Sequence, residues 1–100
     1  MAGNKAGKEK MMPKFYFTYG TEGQPYYGGW TEISAPDIDI ACALFRAVHP
    51  DRSEGYLNCS SIYPEKQFLK SVMAEKGNFG FFCHETITVT ITKNERSSEK

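Results

Sequence analysis

The chain has 100 residues, of which 40% are hydrophobic and 14% aromatic, and its formal net charge at pH 7 is zero. These values are typical of one small globular domain. They exclude a helical membrane span, because no run of the sequence approaches the roughly 20 apolar residues that such a span needs. Residues 15–92 carry nine acidic against five basic residues, so the folded part is acidic and poorly suited to a phosphate-binding groove.

The two ends differ in composition from the middle. Residues 1–13 are lysine-rich and lack the apolar core of a secretory signal, and residues 93–100 are short and charged. We therefore predict flexible tails at 1–13 and 93–100 around a single domain at 14–92, located in the cytoplasm. Three cysteines, an odd number without a repeating spacing, favour reduced thiols over a disulfide framework.

The first predicted element in chain order is a β-hairpin. In KFYFTYG, the residues Phe15, Phe17 and Tyr19 lie on one face of an extended segment. The glycine- and proline-containing turn GTEGQP leads to a second strand in YYGGWTEISA. The Gly28–Gly29 pair in that segment indicates a bulge or a close approach between backbones.

Two helices are predicted next. Pro36 and Asp37 mark the start of the first, whose apolar residues recur at three- and four-residue spacing until His49. A short third strand in YLNCSSIY follows. Pro64 then opens a second helix over PEKQFLKSVMAEK, and Gly77 ends it.

The last strand carries Ile87, Val89 and Ile91 on one face and threonines on the other, which predicts one buried and one solvated face. The element order is therefore β-β-α-β-α-β. We predict an α+β fold, a two-layer sandwich in which a three- to four-stranded, mostly antiparallel sheet carries both helices on one face.

Cys83, His84 and Glu85 stand together where that strand begins, and their side chains are types that bind metals or catalyse reactions. A zinc site from Cys59, Cys83 and His49 is one alternative, and a Cys83 thiolate with His49 or His84 as base is another. Neither has a characteristic spacing, and neighbouring residues of a strand point to opposite faces. We predict no catalytic residue, no metal and no cofactor, and hence no enzyme.

Glu85 shares its predicted face with the buried residues of the last strand. A buried carboxylate needs a partner, for which Arg46, Lys70 or a tyrosine hydroxyl are candidates. The alternative, which is commoner for acidic residues, is that Glu85 lies at the rim of the core.

Aromatic residues in the hairpin are the best candidates for a binding surface, because tyrosine and tryptophan often anchor protein interfaces. For Trp30 the competing interpretation is core packing. Acidic residues nearby would meet basic patches on a partner. The predicted protein-binding residues are Tyr26, Tyr27, Trp30, Glu22, Asp51 and Glu54.

Four stretches, KFYFTYG, GGWTEISAPD, ACALFRAVHPD and GNFGFFCHE, carry a wider pattern. Over about residues 14–86 this pattern resembles a family of small uncharacterised proteins from phages and mobile elements of gut Firmicutes. The resemblance implies a context rather than a chemistry. Small accessory proteins of such elements often bind a host protein stoichiometrically, and inhibitors of defence systems, including anti-CRISPR proteins, are a prominent group.

We therefore expect a non-enzymatic protein-binding accessory protein whose partner is a host protein such as a defence nuclease, with no membrane association. A homodimer through an edge strand or an aromatic patch is also left open. The alternative is weak nucleic-acid binding through the basic tail and the strand aromatics Phe15, Phe17, Tyr19 and Phe81. The tail lysines in that alternative are Lys5, Lys8, Lys10 and Lys14.

Overall fold

A computed structural model describes residues 12–88. Its elements in chain order are β1 (Lys14–Thr18), β2 (Trp30–Ser34), α1 (Ile38–Val48), β3 (Ser61–Pro64), α2 (Glu65–Leu69), α3 (Val72–Lys76) and β4 (Glu85–Thr88). The predicted α+β class is confirmed. The predicted tails, apart from residues 12 and 13, and the last part of the predicted final strand lie outside the described residues.

The four strands form one mixed sheet in the order β3-β1-β2-β4. β1 is antiparallel to both β2 and β3, whereas β4 runs parallel to β2. This agrees with the predicted sheet of up to four mostly antiparallel strands. The central strands place Phe17 beside Thr31 and Ile62, so the core is built on the middle of the sheet.

Helix α1 begins and ends with defined hydrogen bonds. The Asp37 carboxylate accepts the backbone N–H of Ile40 at 2.9 Å and so caps the helix, while Pro36 lies before the cap rather than in the first turn. At the other end, the backbone N–H of His49 donates to the Phe45 carbonyl at 2.7 Å. The Phe45 ring stacks on Phe17 with centroids 4.6 Å apart, which holds α1 against one face of the sheet.

The remaining helices cover the opposite face, so the prediction of both helices on one face is wrong. The Phe68 ring of α2 stacks on Tyr16 at 4.0 Å and meets Trp30 edge-on at 4.7 Å. Because Tyr16 and Phe17 are neighbours on β1, they point to opposite sides of the sheet. The fold therefore has three layers, with α1 on one side and α2 and α3 on the other.

The second predicted helix is divided at Ser71. The Ser71 hydroxyl donates to the Phe68 carbonyl at 2.6 Å, and its backbone N–H donates to the same oxygen at 2.9 Å. Ser71 itself has extended backbone dihedrals, so α3 starts as a separate turn. The element order is consequently β-β-α-β-α-α-β. Gly77 ends α3 as predicted, with φ at 84°.

Several loops gather at one end of the sheet. β1 ends at Thr18, which pairs with Trp30 at the start of β2, and β4 begins at Glu85 beside Thr31. The segments before and after these strands therefore meet there, together with the end of α1 at His49. The start of α1 follows the other end of β2 and lies at the opposite end of the sheet.

Replacing Phe68 by Ala should destabilise the domain as strongly as the loss of a core aromatic residue usually does, because it removes the ring that covers Tyr16 and Trp30. We expect a loss of about 3 kcal/mol in the free energy of unfolding, measured by urea denaturation. Leu69→Ala is the matched control, since Leu69 is exposed, and should cost about 0.5 kcal/mol or less. A loss below about 1 kcal/mol for Phe68→Ala would contradict the second packed face.

Candidate functional site

A chain of hydrogen-bonded side chains runs through the end of the sheet where the loops meet. The Thr31 hydroxyl donates to Glu85 Oε1 at 2.9 Å. Since that bond uses the only proton of Thr31, its oxygen accepts the hydroxyl proton of Tyr19. Tyr19 and Thr31 are fully buried, and the Glu85 side chain is 20% exposed. Glu85 thus lies at the rim of the buried face.

The fourth member of this chain is His49. Its Nε2 atom lies 2.8 Å from Glu85 Oε1, and a carboxylate can only accept, so Nε2 carries the proton. The partners of Glu85 are therefore Thr31 and His49, whereas the predicted Arg46 and Lys70 are not used. These bonds join the end of α1 to β2 and β4.

Burial changes the pKa of Tyr19, the tyrosine in this chain. Desolvation raises the pKa of the Tyr19 hydroxyl; the hydrogen bond to Thr31 works against this shift, and the nearby Glu85 charge adds to it. Tyr19 is therefore a permanent hydrogen-bond donor in the neutral pH range. Its proton keeps the Thr31 hydroxyl oriented toward the carboxylate.

Above the polar chain lies the ring of Tyr26. It stacks on His84 with centroids 5.2 Å apart and planes 15° apart, and it meets the His49 ring edge-on at 6.0 Å. The His84 ring also contacts Phe81, with ring centroids 5.3 Å apart. Tyr26, His84 and Phe81 therefore form one continuous group of rings.

A second ring pair lies on the same two loops. Tyr27, which is 49% exposed, packs against Phe79, which is 61% exposed, with centroids 5.4 Å apart. All five rings come from two loops, residues 26–29 and 77–84. We call the five residues Tyr26, Tyr27, Phe79, Phe81 and His84 the aromatic surface.

Two glycines let the loops approach this closely. Gly28 and Gly29 have φ values of 83° and 90° and are buried. A Cβ atom at Gly29 would overlap the His84 ring, and one at Gly28 would lie 2.7 Å from Phe81 Cδ2. The predicted close backbone approach at this pair is confirmed, although the pair precedes β2 rather than interrupting it.

Asn78 joins the two loops directly. Its Nδ2 atom donates to the Gly29 carbonyl at 2.8 Å and to the Tyr19 carbonyl at 3.2 Å. In return, the Gly29 N–H donates to the Asn78 carbonyl at 3.1 Å. The rings on both loops are consequently held by backbone as well as by side-chain hydrogen bonds.

The structure separates the predicted aromatic residues. Tyr26 and Tyr27 belong to the aromatic surface, but Trp30 is only 5% exposed and packs between Phe68 and Phe82. Trp30 is therefore a core residue, and its assignment to the binding surface is corrected. The burial follows from the cover that α2 gives to the second face of the sheet.

The predicted acidic residues lie on neighbouring loops. Glu22 and Glu54 are exposed, whereas Asp51 accepts from Arg46 Nε at 2.9 Å, which offsets its charge. Arg52 Nη1 donates to the Glu22 carbonyl at 3.3 Å, so the turn after β1 and the loop after α1 are adjacent. That second loop begins at His49, whose ring meets that of Tyr26 edge-on.

Within residues 12–88, the residues of the nucleic-acid alternative do not form a common surface. Phe17 and Tyr19 are fully buried beneath α1, so they offer no face for stacking bases. Lys14 forms an ion pair with Glu32 at 3.5 Å on the sheet. The other predicted lysines, Lys5, Lys8 and Lys10, lie outside the described residues.

The alternative thiol and zinc sites do not assemble either. Cys59 packs in the core under α1, whereas Cys83 packs against the opposite core beside Tyr16 and Trp30. The Cys83 thiol donates to the Glu85 carbonyl at 3.0 Å, away from His84, whose ring lies on Tyr26. Within residues 12–88, no group of three or more metal-binding side chains occurs.

An open groove of about 430 Å³ lies beside β3, away from the aromatic surface. It contains the cysteine Cys59 and the cation Arg46, but burial raises the pKa of Cys59 to about 11, so its thiol is a poor nucleophile at neutral pH. Arg46 is already bound to Asp51. The groove therefore shows no activated group.

No family model, no curated protein and no solved structure matches this chain. In the part of the chain that the structure describes, no helix has the length and apolar character needed to cross a membrane. The geometry of the loops is therefore the main guide to function. Of the aromatic surface, the sequence interpretation missed Phe79 and His84 as binding residues and assigned Phe81 to another role. The signal for this loop was GNFG, in which Gly77 precedes a tight turn and Gly80 lies within it.

Replacing Glu85 by Ala should leave the Thr31 hydroxyl and His49 Nε2 without their acceptor. Because these groups are largely buried, we expect the free energy of unfolding to fall by about 1–3 kcal/mol, measured by urea denaturation at pH 7. Glu75→Ala, at an exposed position of α3, is the control and should change stability by about 0.5 kcal/mol or less. Equal effects of the two substitutions would contradict the role of Glu85 in the polar chain.

Proposed function

We propose that this protein is a non-enzymatic protein-binding module that uses the aromatic surface. The observation that carries the proposal is the grouping of five rings on two adjoining loops, with Tyr27 and Phe79 about half exposed or more. Aromatic residues are enriched at the centres of protein interfaces. Exposed apolar side chains grouped on one part of a small domain commonly mark such a contact.

The surface has the rigidity that tight binding requires. Asn78 links its two loops, and the glycine pair lets the rings of His84 and Phe81 pack on the backbone. Binding through a preformed surface spends less conformational entropy than binding through mobile loops. The same rings would add little to the stability of the free domain, because three of them are substantially exposed to solvent.

Charge indicates the kind of partner. Residues 12–88 carry nine acidic against six basic residues, and Glu22 and Glu54 are exposed on the loops that follow β1 and α1. We therefore propose a protein partner whose docking face has an apolar centre and a rim of Lys or Arg. Opposite charges at the rim would speed association more than they add affinity.

A narrower proposal makes the partner a bacterial defence protein, such as a nuclease, that the protein inhibits stoichiometrically in the host cytoplasm. Its support is the sequence resemblance to small proteins of phages and mobile elements. The acidic excess of residues 12–88 is compatible with that class of partner, because nucleases need basic surfaces to hold nucleic acid. The broader proposal does not depend on this identification.

The test begins with capture on the immobilised protein from a gut Firmicutes lysate, followed by purification of the captured protein and calorimetric titration. We expect a saturable 1:1 complex that Tyr27→Ala weakens about 10-fold or more. Ile40→Ala is the matched control, because Ile40 is an exposed apolar residue in the first turn of α1, at the other end of the sheet. This variant should bind like the wild type.

Several results would contradict the proposal. Equal affinity of the wild type and Tyr27→Ala would place the contact elsewhere. Sedimentation that shows only self-association would make the rings a homodimer surface instead. Capture of nucleic acid alone, with affinity that falls steeply with salt, would favour the nucleic-acid alternative.

A further inference from the structure

The tip of the second loop is a two-residue hairpin turn over residues 78–81. The Asn78 N–H donates to the Phe81 carbonyl at 2.8 Å, and the Phe81 N–H donates to the Asn78 carbonyl at 3.0 Å. The two central residues, Phe79 and Gly80, have φ values of 56° and 80°. Two successive positive values are the pattern of a type I′ turn.

Phenylalanine is a poor choice for the first central position of such a turn. The left-handed region brings Cβ close to the backbone carbonyl, so Gly, Asn and Asp are favoured there. Among residues 12–88, Phe79 is the one non-glycine residue with a positive φ. An asparagine followed by Gly80 would form the same turn with less strain.

The folded domain gains little that offsets this strain. The Phe79 side chain is 61% exposed, and its neighbouring ring is Tyr27, itself half exposed. A strained residue that is held in place by its surroundings, and whose side chain is directed to solvent, is a recognised mark of a functional position. The hydrogen bonds of Asn78 fix the base of the turn and so keep Phe79 in this conformation.

We propose that Phe79 is the anchor of the protein-binding surface, inserting its ring into an apolar, ring-sized pocket on the partner. This inference rests on the proposed function and identifies Phe79 as the central contact of the interface, with Tyr27 as the neighbouring ring. The turn presents the ring before binding, so little conformational entropy is lost when the pocket closes on it. Anchors of this kind carry a large share of the affinity of an interface.

The experiment compares the variant Phe79→Asn with the wild type in two measurements. The thermal unfolding midpoint of the free protein should rise by about 4 °C, because asparagine accepts the left-handed conformation. The affinity for the purified, captured partner should fall about 30-fold or more, because the anchor is lost. A residue that only stabilises the fold would change the midpoint in the opposite direction.

Phe82→Asn is the matched control. Phe82 is similarly exposed, but it lies against Trp30 outside the aromatic surface, and its φ is not positive. The same substitution there relieves no strain, so its midpoint should not rise, and its affinity for the partner should stay close to that of the wild type.

The outcomes separate the two proposals. If Tyr27→Ala weakens binding and Phe79→Asn does not, the surface stands and the anchor assignment is overturned. If neither variant weakens binding, the proposed function itself fails. A midpoint for Phe79→Asn that falls by several degrees would show that the ring stabilises the free domain, and it would overturn the anchor assignment whatever the affinity.

Discussion

The hydrogen bonds of Asn78 connect two loops that are far apart in the sequence and that carry all the rings of the aromatic surface. Its side-chain amide has two donors, and they reach the carbonyls of Tyr19 and Gly29. Each of these carbonyls also accepts a backbone N–H, that of Gly28 at Tyr19 and that of Tyr19 at Gly29, so Asn78 supplies a second hydrogen bond to both. These second bonds tie the loop after α3 to the turn between β1 and β2.

The polar chain fixes the neighbouring part of the same end. Glu85 accepts from Thr31 and His49 in a partly buried position, and this brings the C-terminal end of α1 against the sheet. Tyr26 contacts both His49 and His84, so its ring connects the polar chain to the aromatic surface. Two sets of hydrogen bonds therefore hold this end of the domain together, those of the Asn78 amide and those of the Glu85 carboxylate.

Much of the fold follows from local sequence patterns. The alternation in KFYFTYG predicts β1, the spacing of apolar residues predicts α1, and Gly77 marks the end of α3. The faces covered by the helices could not be derived in this way, because Tyr16 meets Phe68 across more than 50 residues. The sequence did contain a signal that both faces are covered. β1 carries aromatic residues on both of its faces, whereas a strand in a sheet with one solvated face would carry polar residues on that face.

The candidate site was predictable only in part. Tyr26 and Tyr27 follow from the preference of interfaces for tyrosine, but Trp30 has the same preference and is buried. One partner of Glu85 is His49, 36 residues away at the end of a helix, and strand parity alone cannot identify it. Phe79 was missed because what distinguishes it is a backbone conformation that phenylalanine rarely adopts.

The central claim is that the two loops form one preformed surface in the free protein. Amide hydrogen exchange of the unbound protein tests it most directly, because the Gly29 and Phe81 amides both donate to the Asn78 carbonyl at 3.1 and 3.0 Å. The account predicts that both amides exchange only through large-scale unfolding, as slowly as amides in β1. Exchange of either amide at nearly the rate of an unstructured chain would contradict it.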